Sequence, residues 1–216
     1  MAKLVWDAVG KRIYETGVDR AVLFPLSTSG TYETGVAWNG LTGYTESPSG
    51  GDANAKYADN IKYAVLRSTE EFGATIECFT FPPEFEPCDG RATPATGVTI
   101  GQQTRKAFGF TCRTLIGNDV DGDDFGYKLH IIWNATANPA ERGYSTVNES
   151  PDAVSFSYEL ETNPVSVTGY KPTACMTIDS TKVNASKLAV LEDALYGTST
   201  ANPYLPTPDQ VIAMLR

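Results

Sequence analysis

Three segments alternate between apolar and polar residues so regularly that they constrain the fold before anything else does. In AVSFSYELE (153–161), Val154, Phe156, Tyr158 and Leu160 share one parity, and Ser155, Ser157, Glu159 and Glu161 share the other. Successive strand side chains point to opposite faces of a sheet, so this is a strand with one face in a core and one in water. In AFGFTCRTLI (107–116), Phe108, Phe110, Cys112 and Ile116 alternate against Thr111 and Arg113. In GYKLHIIWN (126–134), Tyr127, Leu129, Ile131 and Trp133 do the same. The two flank GNDVDGDDF (117–125), which reads as the turn of a hairpin. About 25 threonines, with Val, Tyr and Phe, suit a pleated surface. Glycines and prolines punctuate the chain every ten residues or so, which favours a sandwich or barrel over alternating β–α units.

Further strands are expected at 20–24, at 34–45 with a bend at Gly35, Gly40 and Gly43, at 61–68 and at 74–81, with a last pair within 163–179. FPPEFEPCDG (81–90) suits one helical turn. Between strands lies TESPSGGDANAKYADN (45–60), polar and too long for an ordinary hairpin loop. It reads as a surface loop or as an extension that grips a neighbour.

The end of the chain changes character. Asn184 suits a helix cap, Val183 and Leu188 a hydrophobic staple, and Leu188, Leu191 and Leu195 follow helical spacing up to Gly197. A helix over 184–196 is predicted. Thr207, Pro208 and Gln210 form a second helix start. The expected organisation is an N-terminal arm (1–19), a β-body (20–196) and a C-terminal arm (197–216). Whether the last arm docks on its own body or on a neighbour is not set by spacing.

Chemistry-bearing patterns are few. Asp119, Asp121 and Asp123 alternate as in a calcium loop, but Gly122 falls at the fourth position and His130 where a calcium loop has Glu. A solvated hairpin tip or a protein contact fits better. His130, the single histidine, lies mid-strand with no nucleophile pattern beside it and reads as a surface or interface residue. Cys78, Cys88, Cys112 and Cys175 have no metal spacing and read as reduced packing thiols. No phosphate-binding glycine loop is present; GVTIGQQTRK (97–106) reads as a loop. The start of the chain has no signal-peptide pattern, and no apolar run reaches membrane-span length. Neither an enzyme nor a membrane protein is expected, and no cofactor or metal. The formal charge of −9 opposes any binding that neutralises phosphates.

Several strings resemble the major tail tube proteins of long, non-contractile-tailed bacteriophages: LVWDAVGKRIYETGVDRAVLFP, YETGVAWNGLTGYTESPSG, FGFTCRTLIGNDVDGDDFGYKLHIIW, MTIDSTKVNASKLAVLEDALYG and LPTPDQVIAML. The resemblance spans the whole chain. It implies a mainly β, two-sheet sandwich or barrel-like fold with a flanking helix and extended terminal arms. It implies stacked, hexameric rings forming a hollow virion tail tube, assembled in the host cytoplasm. Partners would be other copies of the chain, a tape measure protein inside, and tail terminator and distal tail proteins at the ends. Viral DNA would pass without specific binding. Ser155, Ser157, Glu159 and Glu161 are the candidate lumen face. Trp6, Ser47, Gly50, Asp52, Lys56, Tyr57, Asp119, Asp121, Asp123, Tyr204, Leu205 and Leu215 are candidate contacts between subunits or rings. The alternatives are another virion protein, such as a tail terminator or capsid decoration, or a calcium- or carbohydrate-binding β-sandwich.

Overall fold

The computed structural model describes residues 3–146 and 153–216. In chain order the strands are β1 (Tyr14–Pro25), β2 (Val36–Trp38), β3 (Leu41–Glu46), β4 (Ser49–Gly50), β5 (Ala53–Ala58), β6 (Ile61–Arg67), β7 (Glu70–Glu71) and β8 (Gly73–Cys78). After a 3₁₀ turn at Pro83–Phe85 come β9 (Ala92–Ala95), β10 (Val98–Ile100), β11 (Phe108–Asn118), β12 (Gly122–Ala137), β13 (Phe156–Thr162) and β14 (Cys175–Asp179). Two helices close the chain, α1 (Ala185–Tyr196) and α2 (Pro208–Leu215).

The hairpin expected around 117–125 is the spine. β11 and β12 pair from Phe108↔Ala135 to Asn118↔Gly122, so the turn is shorter and the strands longer than the sequence suggests. The antiparallel order is β2-β1-β11-β12-β13-β8-β3, with β14 also on β12. β12 forks: residues 128–132 pair with β14, and 135–137 with β13. One half of the sheet, β3-β8-β13, thereby folds across the other. Its end strands β2 and β3 are consecutive in the chain and turn at Asn39–Gly40, where Gly40 has φ +78°. Among the described residues no ladder joins β2 to β3, so the roll is an open sandwich and not a closed barrel.

Parity then fills two cores. Leu23, Phe108, Phe110, Cys112 and Ile132 point between the two sheet halves and meet Ile76, Cys78, Tyr158 and Leu160. Trp38 seals this core against Phe85, with ring centroids 4.5 Å apart, and its indole N–H donates to Thr80 O at 2.8 Å. Val22, Phe24, Leu129, Ile131 and Trp133 point the other way, under Leu188, Leu191, Leu195, Leu205 and Val211 of the C-terminal segment. Each such side chain contributes about 1.5–3 kcal/mol on burial, so the helical layer is integral to the fold.

The helix signals act as read. Asn184 accepts from the amides of Ser186 and Lys187, Thr207 and Gln210 form a reciprocal capping box, and Gly197 ends α1 at φ +77°. Other expectations need correction. The expected strand 61–68 is not part of the body; as β6 it returns along β5, so the insertion is a hairpin running from 47 to 72. The expected arm 1–19 gives up its last six residues to β1, where Tyr14 pairs with Gly117 and stacks on a position that tolerates no Cβ. Within 163–179 only β14 forms a strand; Val165↔Thr173 is an isolated bridge.

Candidate functional site

The most uniform surface is the outer face of β13-β8-β3. Ser155, Ser157, Glu159 and Glu161 are all exposed, while Tyr158 and Leu160 are buried beneath them. Register extends the face sideways: Ser157 lies opposite Glu77, Glu159 opposite Thr75, and Thr75 in turn opposite Thr45. These three strands contain no Lys or Arg. The face therefore carries Glu77, Glu159 and Glu161 among hydroxyls, with no cation on the same strands to neutralise them. Sequence reading found the β13 row alone. Thr75 and Glu77 share one parity of ATIEC, and the register sets them beside Glu159 and Ser157.

The second surface is the 47–72 hairpin. Ser47 N–H donates to Gly73 O (2.8 Å) at the root, and Asp52 N–H donates to Ser68 Oγ (3.0 Å) at the start of β5. Gly50 sits at φ +79°, where a Cβ would strike the Thr69 carbonyl. Asp59 and Asn60 both have positive φ, as a two-residue turn matching strand twist requires. Lys56 is exposed on β5. Beyond the root the ribbon is bare: Tyr57 is 72% exposed and Tyr63 74%, and Ile61, Val65 and Leu66 are exposed too. Ile61, Tyr63 and Val65 share one parity and make one face of the ribbon apolar.

The third is the N-terminal segment 3–13, with Leu4, Val5, Trp6 and Val9 exposed. It forms no strand, yet the acidic tip holds it: Gly10 N–H donates to Asp119 Oδ1 (3.0 Å), Arg12 lies 3.9 Å from Asp119 Oδ2, and Tyr14 OH donates to Asp123 Oδ1 (3.1 Å). Asp121 accepts from the Asn118 amide (2.9 Å), and Asn118 Oδ1 accepts from the amides of Val120 and Asp121. So Asp119 and Asp123, expected as contacts to a neighbour, bind the chain's own N-terminal segment and the first residue of β1. Acceptors at a β-turn gather the nearest donors, and the arm supplies them.

The C-terminal candidates also need correction. Leu205 is 6% exposed, and a Cβ at Gly109 would collide with it. Leu215 packs on the same core, and Tyr204 is half-exposed with its amide donating to Ala194 O (2.8 Å). Gly35 N–H donates to Pro203 O (3.0 Å) and Trp133 Nε1–H to Pro206 O (2.9 Å). The segment docks on its own body because Ile131 and Trp133 leave an apolar face that α1, Leu205 and α2 cover.

Nucleophile candidates are interior groups. His130 is buried, not on the surface: Nδ1 lies 3.1 Å from Glu46 Oε1, Nε2 lies 2.9 Å from Thr114 Oγ1, and the ring packs on Tyr44. It braces the root of the 47–72 hairpin, because Glu46 ends β3. Burial pushes the Cys78 thiol up to about 11 and Cys88 to about 12, and Cys112 higher still, which suits packing and not reaction at neutral pH. Among the described residues no group of three or more His, Cys, Asp or Glu is placed to hold a metal ion. No helix there is long and apolar enough to cross a membrane.

No protein-family model matches the chain, and comparison with curated proteins gives no match. Among solved structures, the chain is similar to a component of the cryo-EM structure of the anti-feeding prophage baseplate, 6-fold symmetrised. The TM-score is 0.35 and the identity 9%, over 81% of this chain and 97% of that one. It is also similar to a chain of the sheath-tube complex of an extracellular contractile injection system, PVC, in its extended state. There the TM-score is 0.32 and the identity 14%, over 81% of this chain and 94% of the other.

Proposed function

We propose that this protein is a structural subunit of a virion tail, and not an enzyme. More specifically, it is the major tail tube protein of a long, non-contractile-tailed phage, polymerising as stacked rings around a DNA-conducting channel. The observation that carries this is the cation-free acid and hydroxyl face of β13-β8-β3, set in one chain with two uncovered apolar projections. A channel for a polyanion has to avoid adhesion. Carboxylates repel phosphates weakly through water, and hydroxyls give no ion pairs to break. The same face would suit no nucleic-acid binder. The projections supply the association: a hairpin of exposed Tyr, Ile and Leu, and an arm of Leu4, Val5, Trp6 and Val9, are the kind of surface that a soluble chain covers in an assembly. The whole-chain sequence resemblance to tail tube proteins points the same way.

Negative-stain electron microscopy of the purified protein tests the reading, with long hollow tubes expected. Single rings without polymerisation would favour a tail terminator or capsid decoration instead. The hairpin is tested by replacing 53–67, the β5–β6 pair, with a short Gly-Ser closure, because cutting 46–56 alone would leave β6 without its partner. The expected product is a folded monomer that forms no tubes; tubes of normal length from it would remove the hairpin from the assembly. In the assembled tube Glu159 is expected to face the channel, and an outward Glu159 would sink the lining assignment.

A further inference from the structure

Asp89 is a buried carboxylate, 7% exposed, with three arginines around it. Arg142 Nη2 lies 2.5 Å from Oδ2, Arg91 Nε lies 3.2 Å from the same oxygen, and Arg105 Nη1 lies 3.4 Å from Oδ1. One carboxylate balances one of three positive charges, so two are left over. Two of these guanidiniums are also fixed in place. Arg142 donates to Tyr158 OH at 2.9 Å and lies 4.9 Å over the rings of both Phe81 and Phe156. Arg105 donates to Ala137 O at 3.0 Å. Beside them opens a cavity of about 270 Å³, walled by the three arginines with Gly90, Gly101 and Gln102, and lined by no carboxylate except Asp89. Guanidinium forks held around a pocket that has no second carboxylate among the described residues match the geometry of an oxyanion.

The chain itself presents such an oxyanion at the far end of the same two strands. Arg105 and Ala137 flank the base of the β11–β12 hairpin, where Phe108 pairs with Ala135; the tip is Asn118↔Gly122. Eleven residues of β11 at about 3.3 Å each separate them by roughly 35 Å. At the tip all four aspartates are exposed: Asp119 and Asp123 accept from Gly10 and Tyr14, Asp121 accepts from the Asn118 side chain alone, and Asp124 has no side-chain partner among the described residues. A head-to-tail contact brings opposite ends of successive copies together and repeats without limit. We propose that the arginine pocket around Asp89 seats a carboxylate, Asp121 or Asp124, from the β11–β12 tip of a second copy of this chain. This rests on the stacked-tube reading and names the contact between rings. It also answers a difficulty: copies carrying −9 each repel one another, and a fixed carboxylate–arginine contact gives that repulsion one specific exception.

Charge reversal with rescue is the test. Arg91→Glu, the most exposed of the three arginines, and separately Asp121→Arg with Asp124→Arg, are each expected to give rings but no tubes, or at least a tenfold higher protein concentration for tube formation. All three changes in one chain set the carboxylate introduced at position 91 against the guanidiniums introduced at 121 and 124; the pocket as a whole goes from +2 to neutral, so a partial return of tubes is expected. Thermal melting of each variant checks the fold; should Arg91→Glu lose its cooperative melt, Arg91→Ala is read in its place, with the same tenfold expectation. Tubes from the single-end variants at the wild-type concentration would overturn the proposal, and so would a combined variant that rescues nothing. Stabilisation of the wild-type monomer by inorganic phosphate, with assembly of the tip variant unchanged, would make the pocket a free-anion site and equally overturn it. Failure of the wild-type protein to form any tube would instead sink the tube reading.

Discussion

The 47–72 hairpin and the 198–216 segment make opposite use of similar material. Both leave the β-body as excursions, and both carry large apolar side chains. In the C-terminal segment Leu205 and Val211 reach full burial against Trp133 and Ile131. In the hairpin Tyr57, Tyr63, Ile61 and Leu66 remain exposed. Apolar area lowers the free energy of whatever covers it. One segment is therefore part of the fold's stability, and the other leaves its apolar side chains uncovered in the single chain, where the proposed assembly would bury them.

That contrast sets measurable expectations. Leu205→Ala carries the largest effect. It opens a cavity above Gly109, and a drop of about 2–5 kcal/mol in unfolding free energy is expected from chemical denaturation. A loss under about 0.5 kcal/mol would mean that the segment is only lightly docked. Asn184→Ala removes the side-chain oxygen that accepts from two backbone amides at the α1 start and is expected to cost about 1 kcal/mol by the same measurement.

Asp209 sharpens the comparison through pH. Its carboxylate accepts from the Thr168 amide (2.9 Å) and hydroxyl (2.8 Å), which holds its pKa below the ordinary aspartate value. A carboxyl depressed in the folded state stabilises above its unfolded pKa, near 4, and loses that contribution as pH falls through the lower folded value. Wild-type protein is therefore expected to be more stable than Asp209→Asn at pH 6, with the gap closing below about pH 4. Emission from Trp133, which sits under Pro206, reports the loosening. A gap that persists at low pH would assign the effect to packing.

Tyr63→Ser in the hairpin carries the smallest effect on the monomer: within about 0.5 kcal/mol, as for an exposed residue, but with impaired tube formation. A large loss of monomer stability would show that the hairpin packs on the body and would erase the contrast.

Much of this was legible in advance, where local chemistry decides. The parity of 153–161 gave both the buried Tyr158–Leu160 row and the exposed Glu159–Glu161 row, and the caps at Asn184 and Thr207 located both helices. Periodicity could not say what a strand pairs with. IKYAVLR reads as strand either way, and only its pairing with ANAKYA removes it from the body. Asp119 and Asp123 read as free carboxylates because the Gly10 amide and the Tyr14 hydroxyl that hold them are 109 residues away. The arginine pocket was missed for the same reason. Arg91, Arg105 and Arg142 are scattered in sequence and converge only where the 81–107 segment lies against the end of β12.

Local sequence is enough to make this chain mainly β, to start and stop its helices, and to make the β13 outer row acidic. Those properties depend on residues a few positions apart. Tertiary structure alone decided which excursion stays uncovered, which carboxylates are spent on the chain's own arm, and that three distant arginines share one buried aspartate. Each of those depends on contacts between segments far apart in the chain, and local periodicity carries no record of them.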